Sequence, residues 1–96
     1  MSMPGGISRH PLPITEEVKQ AVEEVKPQVE TKLSKTYCVF EPISYKKQVV
    51  AGVNYFVKVK TNDGYVHLRI FRDLKDHPTL KSIQQGKTLE DDITYF

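Results

Sequence analysis

The residues in this chain best suited to covalent chemistry are one cysteine, Cys38, and three histidines, His10, His67 and His77. A thiolate beside an imidazole would make a nucleophile and its base. Cys38, however, sits between Tyr37 and Val39 in a run that reads as a strand, with no glycine-rich turn or helix start beside it to stabilise a thiolate. The histidines are far apart in the chain and share no metal-ligand spacing. We therefore expect no enzyme, no bound metal and no cofactor. A second candidate chemistry is single-stranded nucleic-acid binding, because Asn54, Phe56, Lys58 and Lys60 alternate along one side of a strand and aromatic rings beside cations can hold bases. One phenylalanine is thin support, and lysines on an outer strand face are usually only solvated, so no nucleic-acid partner is expected.

What remains is a contact surface. Gln48-Val49-Val50-Ala51-Gly52 falls where the chain reverses direction. Such tips usually carry Asn, Asp, Ser and Gly, whose side chains or freedom serve exposed backbone. Two readings fit the valines: they finish a strand and tuck against a helix end, or they project beyond the sheet as an apolar rim. Gly52 can take the positive φ that a tight reversal demands.

The elements that must position this pentapeptide are legible from hydrophobic period. Ile14, Val18, Ala21, Val22, Val25, Val29 and Leu33 recur at steps of three and four, which lines one face of a helix. Thr15 is placed to cap it, with Glu16 and Glu17 in the first turn and Lys32 and Lys35 at the other end, all favourable to the helix dipole. Pro27 lies inside, where it removes a backbone hydrogen bond at a cost of roughly 3 kcal/mol. Because the apolar stripe runs on past it, one kinked helix is expected rather than two short ones. From Tyr37 the period drops to two: Tyr37, Val39, Ile43 and Tyr45 share one parity, and Val53, Tyr55, Val57 and Val59 repeat it after the pentapeptide. Asn62-Asp63-Gly64 signals a turn, after which Val66, Leu68, Ile70 and Leu74 mark a third strand. Residues 75–90 have no sustained period and read as loop, and Ile93-Thr94-Tyr95-Phe96 as a short last strand. The expected fold is α+β: an antiparallel sheet wrapped around one long helix.

Composition bounds the rest. The chain has 96 residues, 39% hydrophobic and 27% charged, which suits one domain with a single core and excludes a disordered chain. Residues 1–13, with two glycines and three prolines, read as a mobile arm, part of which can form an edge strand. No apolar run is long enough to span a bilayer, and the first residues lack the apolar block of a secretion signal. A single cysteine excludes an internal disulfide. These features lead us to expect a cytoplasmic protein without a membrane partner. Fourteen basic and twelve acidic side chains are interspersed, a balance that singles out no charged partner.

Against this background the motifs Met3-Pro4-Gly5-Gly6, Val25-Lys26-Pro27-Gln28, Gln48 to Val59, Val66 to Phe71 and Ile93 to Phe96 can be taken together. In this order and spacing the chain resembles the stefin branch of the cystatins, single-domain intracellular cystatins without disulfides, over nearly its whole length. The resemblance implies a tight, reversible inhibitor of papain-like cysteine proteases of the cathepsin type. In that family a glycine-bearing N-terminal arm, a first hairpin and a second hairpin loop form a wedge that fills the enzyme's cleft. Carried over by position, the wedge comprises Met3, Pro4, Gly5 and Gly6, then Gln48, Val49, Val50, Ala51 and Gly52, then Leu74, Lys75, Asp76 and His77. Stefins commonly have a proline directly after the leucine of the second loop. Here that place holds Lys75, and the next proline is Pro78. The alternative is a non-inhibitory interaction module on the same fold. A monomer is expected, with a domain-swapped dimer, its first hairpin hidden, as the other state such strands can reach.

Overall fold

The computed structural model describes residues 7–96. It runs from a short edge strand β1 (Leu12–Pro13) into helix α1 (Glu16–Leu33), and on through β2 (Phe40–Val50), β3 (Gly52–Thr61), β4 (Gly64–Arg72) and β5 (Pro78–Lys87). The strands lie side by side in the order β1-β2-β3-β4-β5, each antiparallel to the next. The expected α+β arrangement is therefore present. Among the described residues no helix is long and apolar enough to cross a membrane.

The helix is one continuous element. Thr15 caps it by accepting the Val18 N–H on Oγ1 at 3.3 Å, and Ser34 ends it in a left-handed conformation with φ 53°. Pro27 is tolerated because it sits on the exposed side, where the carbonyl it deprives faces water. Val18, Ala21, Val22, Val25 and Val29 are buried against Tyr45, Tyr55, Val57, Val59, Val66, Leu68, Ile70 and Leu80 of the sheet. That is the apolar stripe meeting the parity of β3 and β4.

Several expectations need correction. The first long strand begins at Phe40, leaving Tyr37, Cys38 and Val39 in the connection. A bulge between Pro42 and Ser44 inserts Ile43 and inverts the parity: Phe40 and Pro42 pair with Thr61 and Val59 before it, whereas Tyr45 pairs with Val57 after it. Residues 78–87, read as loop, form β5. Its helix-facing Leu80 and Ile83 are three apart because a bulge separates the partners of Ile70 and Leu68, and a second irregularity separates those of His67 and Tyr65. Period two is thus broken twice in ten residues. Ile93–Phe96 is not a strand, though Ile93 is 1% exposed and the rings of Tyr95 and Phe96 lie 5.5 and 5.7 Å from that of Phe56.

The last correction concerns the far side of the sheet. Asn54, Phe56 and Lys58 are buried, not solvated, because residues 88–96 cross over them, while Lys60 is exposed. An ammonium taken from water needs partners. Lys58 Nζ donates to the carbonyl oxygens of Leu89 and Asp91, and Lys46 Nζ reaches Asp92 Oδ1 at 3.1 Å. Asp92 is held below the usual carboxylate range, first by its hydrogen bond from Lys46. His67 lies beneath the same segment with 0% exposure. Burial, then Lys58 and Lys87, push its pKa down to about 4, against smaller opposing effects of Asp91 and Asp92.

His67 consequently folds as the neutral imidazole. Its contribution to stability is complete above the ordinary value of 6.5 and is lost as pH falls towards 4. We predict a loss of about 2–3 kcal/mol across that window, read from urea midpoints at a series of pH values. A folded His67→Gln variant should lack that slope; an unchanged slope would assign it to other groups.

Candidate functional site

β2 ends at Val50 and β3 begins at Gly52, with Val50 opposite Gly52 and Ala51 at the tip. Such a narrow reversal is possible because Gly52 adopts φ 114°. A Cβ there would stand 2.6 Å from the Arg72 carbonyl oxygen and 2.8 Å from the Phe71 ring. Bare backbone therefore lets β4 close up behind the hairpin. Val49 and Val50 remain 54% and 41% exposed, and Ala51 is exposed as well. The valines are not tucked against the helix, so the tip is an apolar rim. Gln48 differs from its neighbours. It is 6% exposed, and its Oε1 accepts a hydrogen bond from Asn54 Nδ2 at 3.0 Å. Gln48 braces the base of the hairpin across the two strands.

The second turn, Asp73 to His77, joins β4 to β5. Leu74 lies outside the strand and is 84% exposed. Asp73 Oδ1 accepts the N–H of Lys75 at 2.9 Å and that of His77 at 3.0 Å, and the Asp73 carbonyl accepts from Asp76 N at 3.0 Å. These bonds hold the Asp73 carboxyl below its ordinary pKa, the His77 N–H foremost. Asp76 takes a left-handed φ of 70°. Its carboxylate meets Arg72 Nη1 at 3.1 Å, and the same nitrogen pairs with Glu17 in the first turn of α1.

Strand register brings these parts together. Val53 pairs with Arg72 and Arg72 with Pro78, so the hairpin rim and the Asp73–His77 turn occupy one end of the sheet. The N-terminal segment joins them. Ser8 N donates to the Lys47 carbonyl at 2.9 Å and Ser8 Oγ accepts from Lys47 N at 3.1 Å, so the chain, followed backwards from β1, runs along β2 towards Gln48. Met3, Pro4, Gly5 and Gly6 lie outside the described residues.

The groups suited to covalent chemistry are elsewhere. Cys38 is exposed in a bend, not in the strand expected for it, and its backbone N–H donates to Asn62 Oδ1 at 3.2 Å at the opposite end of the sheet. His67 is sealed in β4, and His77 stands on the second turn. The site can exclude and contact; among the described residues it holds no nucleophile with a base. Sequence reasoning missed the supports of this edge, Glu17, Asn54, Arg72 and Asp73. Asp73 alone left a local signal, since an aspartate opening a turn commonly bonds the N–H groups that follow it.

Residues 5–93 match the family model described as the cystatin domain. The chain is 54% identical over 94 residues to cystatin-A3 of Dictyostelium discoideum, covering 98% of this chain and all of that protein. It is 41% identical to human cystatin-A over 98 residues, covering 98% of this chain and 99% of the relative. It is also 44% identical to leukocyte cysteine proteinase inhibitor 1 of the pig over 96 residues, covering 96% and 92% of the two chains.

The close approach at Gly52 can be tested directly. Gly52→Ala places a methyl group against backbone and imposes an unfavourable φ, so we predict a loss on the order of 1–3 kcal/mol in urea unfolding. A variant as stable as the parent would show that the hairpin accommodates a side chain there.

Proposed function

The chain belongs to the cystatin family, and on that premise we propose that it inhibits papain-like cysteine proteases of the cathepsin type by seating its apolar edge in the substrate cleft. The fold is the cystatin fold, and the protein is an inhibitor, not an enzyme. The observation that carries the finer reading is the exposure of Val49 and Val50 on a stiff hairpin at the same end of the sheet as Leu74. A protease cleft open to extended peptides presents a groove, and a rigid apolar rim loses little conformational entropy on entering it.

Magnitudes indicate how the work is divided. Covering the exposed parts of Val49, Val50 and Leu74 is worth about 3–5 kcal/mol by area, which alone corresponds to roughly millimolar binding. Tight inhibition therefore requires further contacts, and in this reading Met3, Pro4, Gly5 and Gly6 supply them. The pairing of Ser8 on Lys47 supports that role, because it places Ser8 beside the residue that precedes Gln48. In this reading the effect of the arm falls on dissociation. An exposed, unpaired Cys38 suits a reducing compartment, and we place the inhibitor in the cytosol.

Inhibition of this kind needs no covalent bond. We predict that the protein binds a papain-like endopeptidase whose active-site thiol has been capped with a small alkyl group, and that activity of the uncapped enzyme returns on dilution. Loss of all binding on capping would indicate a covalent mechanism. We further predict that Val50→Asp, which sets a charge against the cleft wall, raises the dissociation constant at least about tenfold. Full inhibition by a folded Val50→Asp protein would remove the hairpin from the contact.

A further inference from the structure

The second turn solves a problem that the sequence poses. Where the stefin pattern carries a proline after the leucine, this chain has Lys75. A proline fixes φ near −65° and removes a backbone donor. Lys75 does the reverse, leaving φ free and keeping its N–H, and that N–H is used: it donates to Asp73 Oδ1, as does that of His77 two residues on. Two backbone N–H groups converging on one carboxylate oxygen are charge-assisted bonds and stronger than their neutral counterparts. They close the turn beneath Leu74, which is 84% exposed and is not part of the buried core cluster. On the far side the turn is anchored by Asp76, held by Arg72, which Glu17 ties to the helix.

We propose that Asp73 is a positioning residue for inhibition, its carboxylate holding the turn so that Leu74 stands ready to enter the target protease's cleft. This rests on the inhibitor reading given above. Without the staple, the turn from Asp73 to His77 would have to be ordered when the complex forms, and that cost would be subtracted from the affinity Leu74 supplies. Asp73 itself need touch nothing on the enzyme.

The test compares the full-length protein with Asp73→Ala, Asp73→Asn, Leu74→Ala, the double variant Asp73→Ala/Leu74→Ala, and Val50→Asp, all titrated against one papain-type endopeptidase. Thermal midpoints are measured alongside. Asp73→Ala should raise the inhibition constant about fivefold to tenfold with little change in midpoint. Asp73→Asn keeps a carbonyl acceptor at the same place and should stay within about twofold of the parent. In the Leu74→Ala background, the Asp73→Ala change should cost less than about twofold, because the group it positions is gone. Asp73→Ala inhibiting as well as the parent, or losing as much with Leu74 absent as with it present, would overturn the inference. Val50→Asp separates the two claims. If it is inert while Asp73→Ala is unaffected, only the role of Asp73 fails; if it inhibits normally, the inhibitor edge itself has been misassigned. A measurement on the unaltered protein gives an independent check. The amide resonances of Lys75 and His77 should shift together as the Asp73 carboxylate is protonated, with a midpoint below 3.8. Amides that titrate separately, or not at all, would refute the staple.

Discussion

The register of β3 is the constraint on which the molecule depends. Both faces of this central strand are buried: Tyr55, Val57 and Val59 against the helix, Asn54, Phe56 and Lys58 beneath the C-terminal segment. A slip of one residue would turn Lys58 into the apolar core and lift Val57 away from it. Because the penalty falls on an ammonium as well as on several apolar side chains, the pairing has one acceptable solution. That solution fixes where the strands end, and the strand ends carry the proposed contact edge.

The edge is a consequence of two short connections meeting at one backbone. Arg72 lies opposite Val53 in one pairing and Pro78 in the other. Its carbonyl oxygen fits behind the hairpin where Gly52 has no side chain, while its guanidinium reaches Asp76 in the second turn and Glu17 on the helix. The distance between the two strand ends is therefore set by covalent geometry and close packing, while the Asp73 and Asp76 side chains hold the turn that carries Leu74. If the protein acts by shape, as we propose, stiffness between contact points matters because every freedom lost on binding subtracts from affinity. Ion pairs at such exposed positions add little stability by themselves, but they can hold a turn in one arrangement.

The C-terminal segment has a different task. It has no strand partner, yet it covers the outer sheet face through Ile93, Tyr95 and Phe96 and receives Lys58 on its carbonyl oxygens. Arg69 joins the same cluster, with its guanidinium 5.8 Å from the Phe56 ring and 5.2 Å from that of Tyr95, and donates to the Phe96 carbonyl. A face that reads as polar from its lysines is thereby converted into a second, mixed core.

Local periodicity was enough to identify the helix and its N-cap, β3, most of β4, the turn at Asn62–Gly64 and the glycine that closes the hairpin, because each of these is decided by residues within a few positions of one another. The motifs shared with the stefins also singled out the Gln48–Gly52 hairpin, whose contact with a protease is a proposal. Periodicity failed where a bulge intervened: Ile43 inverts the parity of β2, and in β5 one interruption leaves Leu80 and Ile83 three apart while a second follows Gln84, hiding a strand of ten residues. It also could not say whether Val49 and Val50 face in or out, nor that Lys58 is buried, since only tertiary packing decides that the helix end leaves those valines uncovered and that the carbonyl oxygens of Leu89 and Asp91 reach Lys58. Burial is a property of what lies opposite a residue, and the groups opposite Lys58 are about thirty positions away along the chain.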